Sequence, residues 1–261
     1  MTKRTNLPKE RIARTAILLV FILLIAASTA IFFWQRKNAK PYLYSPNIKT
    51  LLYHLVMDEP YSEYDYLFVR EGDFEAQLMS IQGLGLETYF ADEPERANGK
   101  PGVVITFDDG YEDNYTTVFP LLKKYNMKAT IFLITDMIGA EGHLTKEQIR
   151  EMSESGLVHF GSHTKSHTRL DMLTDYQIHQ EMVLSKEIIE DITGKKVLAL
   201  AYPNGAYTEK AEQLAISAGY RYAYTTDIPQ DAYYDNSRLP RNYVGRDISY
   251  EEFLAILSLN S

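Results

Sequence analysis

Short apolar runs that alternate with amphipathic helical segments constrain the fold of this chain more than any other feature. Runs that are apolar at successive positions are typical of parallel strands covered by helices on their outer face. The predicted strands are Leu51–His54, Val103–Phe107, Ala129–Ile134, Val158–Gly161, Val197–Ala201 and Tyr220–Thr225. The alternation therefore predicts an α/β domain with a parallel sheet.

This alternation is compatible with two architectures, a closed barrel and an open doubly wound sheet. Roughly seven strand–helix units are expected, and the pattern alone does not choose between the two. In both architectures, reactive side chains are expected at the carboxyl ends of the strands. Capping boxes beginning at Thr145, Thr174 and Ser249 predict three of the helix starts.

The first forty residues differ from the rest of the chain. Residues 15–34 carry no charge and would span about 30 Å as a helix, which is enough to cross a bilayer. Basic residues before this stretch outnumber those after it, which favours a cytoplasmic N-terminus and an extracellular domain. The alternative is a cleaved signal peptide, because Ser28-Thr29-Ala30 loosely resembles a cleavage site. The predicted division is a cytoplasmic tail at 1–14, a transmembrane anchor at 15–34, a tether at 35–49 and the folded domain at 50–261.

Charge and cysteine content exclude several classes of function. Beyond residue 40 the chain has 19 basic and 34 acidic residues, a balance that disfavours binding of nucleic acid through its phosphates. The chain contains no cysteine, which excludes a disulfide scaffold, a thiolate zinc site and a cysteine nucleophile.

Two adjacent carboxylates, Asp108 and Asp109, follow the predicted strand Val103–Phe107. Asp-Gly is a common turn dipeptide, so a purely structural turn is one interpretation. A metal site is the other, because adjacent carboxylates repel unless a cation or hydrogen bonds hold them. His163 and His167 follow another predicted strand and are expected at the same end of the sheet. Two histidines and one carboxylate with an open fourth position match a catalytic zinc site.

These residues resemble the motifs of the polysaccharide deacetylases, the NodB-homology domain of carbohydrate esterase family 4. Thr-Phe-Asp-Asp-Gly at 106–110 is followed by Ser-His-x-x-Ser-His at 162–167 and by Tyr-Pro-Asn-Gly at 202–205. The resemblance covers roughly residues 50–245, with the motif core within 100–245. It implies a distorted (β/α) barrel of about seven parallel strands, and an enzyme that removes N-acetyl groups from N-acetylglucosamine polymers.

The resemblance also implies a role for each motif residue. Asp108 would be the general base, and Asp109, His163 and His167 would bind a divalent metal. Zn²⁺ is the expected ion, although the ligands also suit Co²⁺, Ni²⁺ or Mn²⁺. The segment expected to line the substrate site consists of Tyr202, Pro203, Asn204 and Gly205, with the Asn204 backbone N–H aimed at the oxyanion.

The chain departs from the family pattern at two positions. The general acid is often a histidine near the C-terminus, but no histidine follows His179. His54 instead resembles the early acid of a circularly permuted branch, typified by poly-N-acetylglucosamine deacetylases; a buried structural histidine is the alternative. The arginine that usually orients the base is replaced by Ala201, and Arg241 is a candidate to substitute. His159 is expected to be structural or to support the site rather than to bind metal.

The predicted function is metal-dependent removal of N-acetyl groups from an extracellular or cell-wall polysaccharide, with Asp108 as base and His54 as acid. Two alternatives remain: an O-acetyl sugar esterase that uses the same site, and a non-catalytic, membrane-tethered glycan-binding protein. The expected partners are an N-acetylglucosamine polysaccharide and, through residues 15–34, the membrane; nucleic acid is not expected.

Overall fold

The strands and helices come from a computed structural model that describes residues 47–58, 66–226 and 236–258. The strands are β1 (Ile48–Tyr53), β2 (Leu55–Val56), β3 (Phe68–Val69), β4 (Glu87–Tyr89), β5 (Gly102–Phe107), β6 (Ala129–Leu133), β7 (Val158–Ser162), β8 (Ala199–Ala201), β9 (Tyr222–Thr225), β10 (Leu239–Pro240) and β11 (Asn242–Tyr243). The α-helices are α1 (Glu71–Gly83), α2 (Phe119–Tyr125), α3 (Lys146–Glu154), α4 (Asp175–Thr193), α5 (Glu209–Ser217) and α6 (Tyr250–Leu257). A π-helical turn, Asn114–Val118, leads into α2.

The main sheet closes on itself, which distinguishes the barrel from the open sheet. Its strands follow the order β10-β9-β8-β7-β6-β5-β1-β11, and every pair is parallel. The two strands at the ends of this order, β10 and β11, are separated in the chain by Arg241 alone. Since neighbouring Cα atoms are about 3.8 Å apart, the two edges of the sheet must meet at this residue. The prediction of a parallel α/β barrel is therefore confirmed.

The barrel is distorted where β4 enters it. β4 pairs with the first half of β5, from Gly102 to Val104, whereas β6 pairs with the second half, at Thr106 and Phe107. Threonine hydroxyls join the strands around this split: the Lys128 N–H donates to Thr88 Oγ1. One edge of β5 is thus shared by two strands.

Side chains alternate between two apolar cores. One core lies between the sheet and the helices, and the other lies inside the barrel. Val104 of β5 belongs to the inner core, whereas Val103 and Ile105 belong to the outer one. Because side chains on a strand alternate in direction, Thr106 and Asp108 share the inward face with Val104.

The predicted helix starts are confirmed, and the predicted strand ends shift slightly. Thr145, Thr174 and Ser249 each form a capping box at the start of α3, α4 and α6. β1 begins at Ile48, two residues before the predicted start of the domain, and ends at Tyr53 rather than at His54.

The predicted tail, anchor and most of the tether lie outside the described residues, so those divisions stay predictions. Within residues 47–58, 66–226 and 236–258, no helix has both the length and the apolar character needed to cross a membrane.

Candidate active site

The carboxyl ends of neighbouring strands bring the predicted site residues together. In the β1–β5 pair Tyr53 lies opposite Phe107, so His54 and Asp108 leave the sheet side by side. In the β7–β8 pair Ser162 lies opposite Leu200, which places His163 beside Ala201. The register of a parallel sheet thus brings together His54 and Asp108, which are 54 positions apart in the chain, and His163 and Ala201, which are 38 positions apart.

Asp108 and Asp109 have different surroundings because the backbone turns between them. Asp108 continues the inward face of β5, and it is buried. Asp109 has a φ of 71°, a left-handed conformation that redirects its side chain away from the strand alternation. Gly110 follows with a φ of 77°, and a side chain there would collide with Leu133. The turn therefore sends the two carboxylates to separate partners.

Arg241 holds Asp108 from inside the barrel. Arg241 Nη1 is 2.6 Å from Asp108 Oδ1, and Nη2 is 2.7 Å from Oδ2. The guanidinium also lies 5.4 Å above the ring of Phe132. Burial by itself raises the pKa of Asp108, but the charge of Arg241 and the hydrogen bonds from its guanidinium outweigh it, so this pKa lies well below its usual range. The carboxylate is held ionised and in one orientation.

Asp109, His163 and His167 converge on one point. His163 Nε2 is 3.6 Å from Asp109 Oδ1, and His167 Nε2 is 3.7 Å from the same oxygen. One ligand atom from each of the three residues lies within 4.8 Å of the others. In a tetrahedral zinc site with bonds of about 2.0–2.1 Å, ligand atoms are about 3.4 Å apart. The three side chains are therefore spaced for a shared divalent ion.

The chemistry of these three ligands also fits a metal. His163 Nδ1 donates to the Ala201 carbonyl at 2.8 Å, so its Nε2 carries the free lone pair. Asp109 Oδ1 is buried and has no hydrogen-bond partner among the described residues. Burial lowers the pKa of His167, which favours the neutral imidazole that binds metals. An orphaned carboxylate oxygen facing two imidazole nitrogens is the arrangement that a divalent cation satisfies.

His54 lies in the gap between β1 and β2. Its side chain is partly buried, and its Nδ1 is enclosed without a hydrogen-bond partner in the described part of the chain. Burial lowers the pKa of His54 below its usual value, and the negative charges of Asp108 and Asp109 offset this only in part. The backbone around it is held by the next loop: Asn114 Nδ2 donates to the His54 carbonyl at 3.1 Å, and the Val56 N–H donates to Asp113 Oδ2 at 2.6 Å.

The segment 202–205 contributes backbone rather than side chains to the site. The Tyr202 side chain is buried, and its hydroxyl donates to the Ser237 carbonyl at 2.8 Å. This contact corrects the expectation that Tyr202 lines the substrate site, since its ring belongs to the outer core. Pro203 and Gly205 are buried too, and a side chain at Gly205 would overlap Thr226. Asn204 is exposed with a φ of 55°, and its N–H donates to no other described backbone group.

Left-handed backbone is concentrated in these loops. Six described residues other than glycine have a positive φ. Asn98 and Asn126 end short helices, where asparagine is common. The other four belong to the site loops: Asp109, Thr164, His167 and Asn204. Threonine in this conformation is costly, and such strain persists only where the surroundings enforce it.

Sequence reasoning missed the residues that hold the site in place. Glu181 of α4 accepts two backbone N–H groups from the histidine loop. Asp113 and Asn114 brace the backbone beside His54. Glu181 lies on an amphipathic helix, where a glutamate is expected to be solvated. Asp113 offers a weak signal of a supporting role in the sequence, because it lies only five residues after Asp108, and a carboxylate that becomes buried there requires hydrogen-bond partners.

His159 lies away from the site. It lies on β7, four residues before His163, which directly follows that strand; this is about 13 Å along extended chain. Its Nδ1 is 2.9 Å from Asp92 Oδ1, and its ring stacks on Phe90 with the centroids 3.5 Å apart. The expectation that His159 is not a metal ligand agrees with this placement.

Sequence comparison relates the chain to known hydrolases. Residues 95–223 match the sequence profile of the family described as Polysaccharide deacetylase. The chain is 38% identical over 197 residues to YxkH of Bacillus subtilis (strain 168), which is named as a polysaccharide deacetylase; the match covers 73% of this chain and 67% of YxkH. It is 30% identical over 200 residues to a poly-beta-1,6-N-acetyl-D-glucosamine N-deacetylase of Staphylococcus epidermidis, covering 69% of this chain and 68% of that protein.

Structural comparison agrees. The Streptococcus pyogenes deacetylase PplD, solved in complex with acetate, superposes with a TM-score of 0.74 at 28% identity, over 81% of this chain and 98% of PplD. The profile match includes the Asp108–Asp109 pair and the histidine loop, whereas His54 and Arg241 lie outside it. On the identity and coverage of these matches, the chain belongs to the polysaccharide deacetylase family, the NodB-homology enzymes of carbohydrate esterase family 4.

Proposed function

We propose that this protein is a metal-dependent hydrolase that removes N-acetyl groups from N-acetylglucosamine residues of a polysaccharide. The observation that carries the proposal is the open Asp109–His163–His167 cluster next to a carboxylate, Asp108, that Arg241 keeps ionised. A divalent ion bound by the three ligands would polarise the acetamide carbonyl and lower the pKa of water. A poly-β-1,6-linked polymer is the first substrate to test, because a relative is named for it.

The chain's own residues supply the proton transfers. Asp108 is the general base that accepts a proton from the attacking water, and its orientation is set by the bidentate contact with Arg241. The Asn204 N–H is a backbone donor for the oxygen on which negative charge develops. His54 follows β1 and lies beside Asp108, which follows the neighbouring strand β5. It is the acid that protonates the departing amine.

Acetate release from a panel of polymers tests this proposal. The purified protein with added Zn²⁺ should release acetate from poly-β-1,6-N-acetylglucosamine or another N-acetylglucosamine polymer. Asp108→Asn should lower that rate on the order of 10²–10⁴-fold, the usual contribution of general base catalysis. Release from acetyl xylan alone would identify an O-acetyl esterase. Binding of a glycan without acetate release from any polymer would identify a non-catalytic protein.

We also propose that residues 15–34 anchor the protein in the cell membrane, with the catalytic domain outside. The support is an uncharged stretch long enough to span a bilayer, flanked by more basic residues before it than after it. Protease added to intact cells should cleave a C-terminally tagged protein and leave a membrane-bound N-terminal fragment. A tagged domain that is resistant in intact cells and sensitive in lysed cells would contradict this orientation.

A further inference from the structure

The histidine loop, residues 162–168, is held in its conformation by contacts that come from outside it. The loop carries both imidazoles of the candidate metal site, and two of its residues, Thr164 and His167, have φ values of 66° and 61°. Within the loop, the Thr164 N–H donates to Ser162 Oγ and the His167 N–H donates to Thr164 Oγ1. A third local bond joins the Ser166 and Thr168 hydroxyls, and these three bonds leave the N–H groups of Lys165 and Ser166 without a partner inside the loop.

Helix α4 supplies the missing partner. Glu181 Oε2 accepts the Lys165 N–H at 2.9 Å and the Ser166 N–H at 2.8 Å, and Oε1 accepts the Ser166 hydroxyl at 2.9 Å. One helical turn later, Ser185 Oγ lies 2.7 Å from Ser162 Oγ, at the base of the same loop. Since residues four apart share one helix face, a single face of α4 is attached to two points of the loop.

We propose that Glu181 is a positioning residue that preorganises His163 and His167 for metal binding, which rests on the proposed metal-dependent function. Glu181 is outside the Asp109–His163–His167 cluster, so it acts through the loop backbone. Its carboxylate satisfies three donors at the tip of the loop. Residues 135–136 hold the loop from another side, where the Thr135 and Asp136 N–H groups donate to the Thr164 and Lys165 carbonyls. Without that anchor the loop between the two imidazoles samples other conformations. His167 then changes orientation more than His163, which the Ala201 carbonyl still holds, and the loop must become ordered when the ion binds.

A set of three variants separates this role from a general effect on the helix. Glu181→Ala removes all three acceptor contacts. Glu181→Gln keeps one oxygen for the two backbone N–H groups and places an amide donor beside the Ser166 hydroxyl, which can accept. Glu187→Ala is the matched control, because Glu187 is an exposed glutamate on the same helix.

The primary measurement is affinity for Zn²⁺, obtained by competition with a chromophoric chelator. Glu181→Ala should weaken zinc binding roughly 10–100-fold, the range seen when a group that orients a metal ligand is lost. Glu181→Gln should stay within about threefold of the wild type on the same scale, and Glu187→Ala should bind as the wild type does. Saturating zinc should restore acetate release by Glu181→Ala. A folded Glu181→Ala protein with wild-type zinc affinity would overturn the proposal.

Amide hydrogen exchange provides a second readout that requires neither metal nor activity. In the metal-free wild type, the Lys165 and Ser166 amides should be protected, and Glu181→Gln should retain that protection. Unprotected Lys165 and Ser166 amides in the wild type would overturn the proposal even if Glu181→Ala did not fold. Acetate release by the wild type tests the proposed function separately, so the two proposals fail independently.

Discussion

Strand β7 carries a histidine–aspartate contact near each end, and the two contacts differ in kind. Near the amino end, His159 Nδ1 is 2.9 Å from Asp92 Oδ1, a closed hydrogen bond in which each group satisfies the other. After the carboxyl end, His163 Nε2 is 3.6 Å from Asp109 Oδ1, beyond hydrogen-bond distance. His163 satisfies its other nitrogen with the Ala201 carbonyl instead. The same two residue types therefore form a structural pair at one end and an open ligand set at the other.

Residue type alone does not separate these two contacts. What separates them is a third group: His167 approaches the same Asp109 oxygen at 3.7 Å, whereas Phe90 covers His159. Two imidazole nitrogens face one carboxylate oxygen that has no hydrogen-bond partner among the described residues, and a bound cation would interact with all three. A single imidazole that hydrogen-bonds to one carboxylate, as His159 does to Asp92, leaves no such set of ligand atoms.

The largest expected effect comes from removing the shared carboxylate. Asp109→Asn should weaken zinc binding at least about 1000-fold, because loss of a direct ligand exceeds the roughly 10–100-fold cost of losing a supporting residue. It should also abolish acetate release. The measurement is chelator competition together with acetate release. Asp92→Asn is the control and should bind zinc as the wild type does; equal losses in both variants would erase the distinction between the two ends of β7.

The next prediction compares a buried ion pair with a partly exposed one. The side chains of Arg241 and Asp108 are 0% and 3% exposed, whereas those of His159 and Asp92 are 22% and 12% exposed. Arg241→Ala should lower the free energy of unfolding by about 3–5 kcal/mol, because it leaves a buried carboxylate without its cation. Urea denaturation measures this change. Asp108→Asn in the same chain should recover part of the loss; if it deepens the loss, the unpaired charge is not the cause.

Asp113 extends the comparison to a carboxyl group that is buried with no ion pair among the described residues. Burial raises the pKa of Asp113 to about 7, although the Val56 N–H and Asn114 Nδ2 act against it. The unfolded chain has the ordinary value of about 3.9, so between these values the folded state holds a proton that the unfolded state has released. Stability should therefore fall as the pH rises from 4 to 7.

Asp113→Asn should remove that pH dependence and raise the free energy of unfolding at pH 8 by on the order of 4 kcal/mol, since the pKa is raised by about three units and each unit corresponds to about 1.4 kcal/mol. Urea denaturation at pH 5 and pH 8 measures the difference. Equal wild-type and variant slopes across this interval would show that Asp113 titrates at its ordinary pKa.

The smallest effect is expected at the amino end of β7. His159→Gln should lower the free energy of unfolding by about 1 kcal/mol or less, because partly exposed pairs contribute little. It should leave zinc affinity and acetate release unchanged. Thermal denaturation and chelator competition measure both. A loss of zinc affinity would mean that the two ends of the strand are coupled.

Much of the fold was predictable from local pattern. Five strands of four to six residues and the three-residue β8 follow from continuous apolar runs, and three helix starts follow from capping boxes. The strands that were missed, β2, β3, β4, β10 and β11, have only two or three residues. A segment this short carries no measurable periodicity, and its pairing depends on neighbours far away in the chain.

The candidate site was predictable to a similar degree. Its reactive residues stand in compact motifs, but its supporting residues do not. In the sequence, nothing distinguishes Glu181 from other glutamates on helices. Its role depends on the hydrogen bonds that it accepts from the histidine loop in the folded protein. Tyr202 shows the opposite error, because its place within a motif suggested contact with substrate while its side chain is buried in the outer core.

The sequence by itself determined the chemistry of this protein: two carboxylates after an apolar strand, two histidines four apart, and the absence of a late histidine. The tertiary structure alone decided which carboxylate contacts Arg241 and which one faces the two histidines. Alternation along β5 sends Asp108 into the barrel, a left-handed turn sends Asp109 to the histidines, and closure of the barrel brings Arg241 to Asp108 across 133 residues. Local spacing sets which groups are available, whereas contacts between distant segments exist only once the sheet has closed.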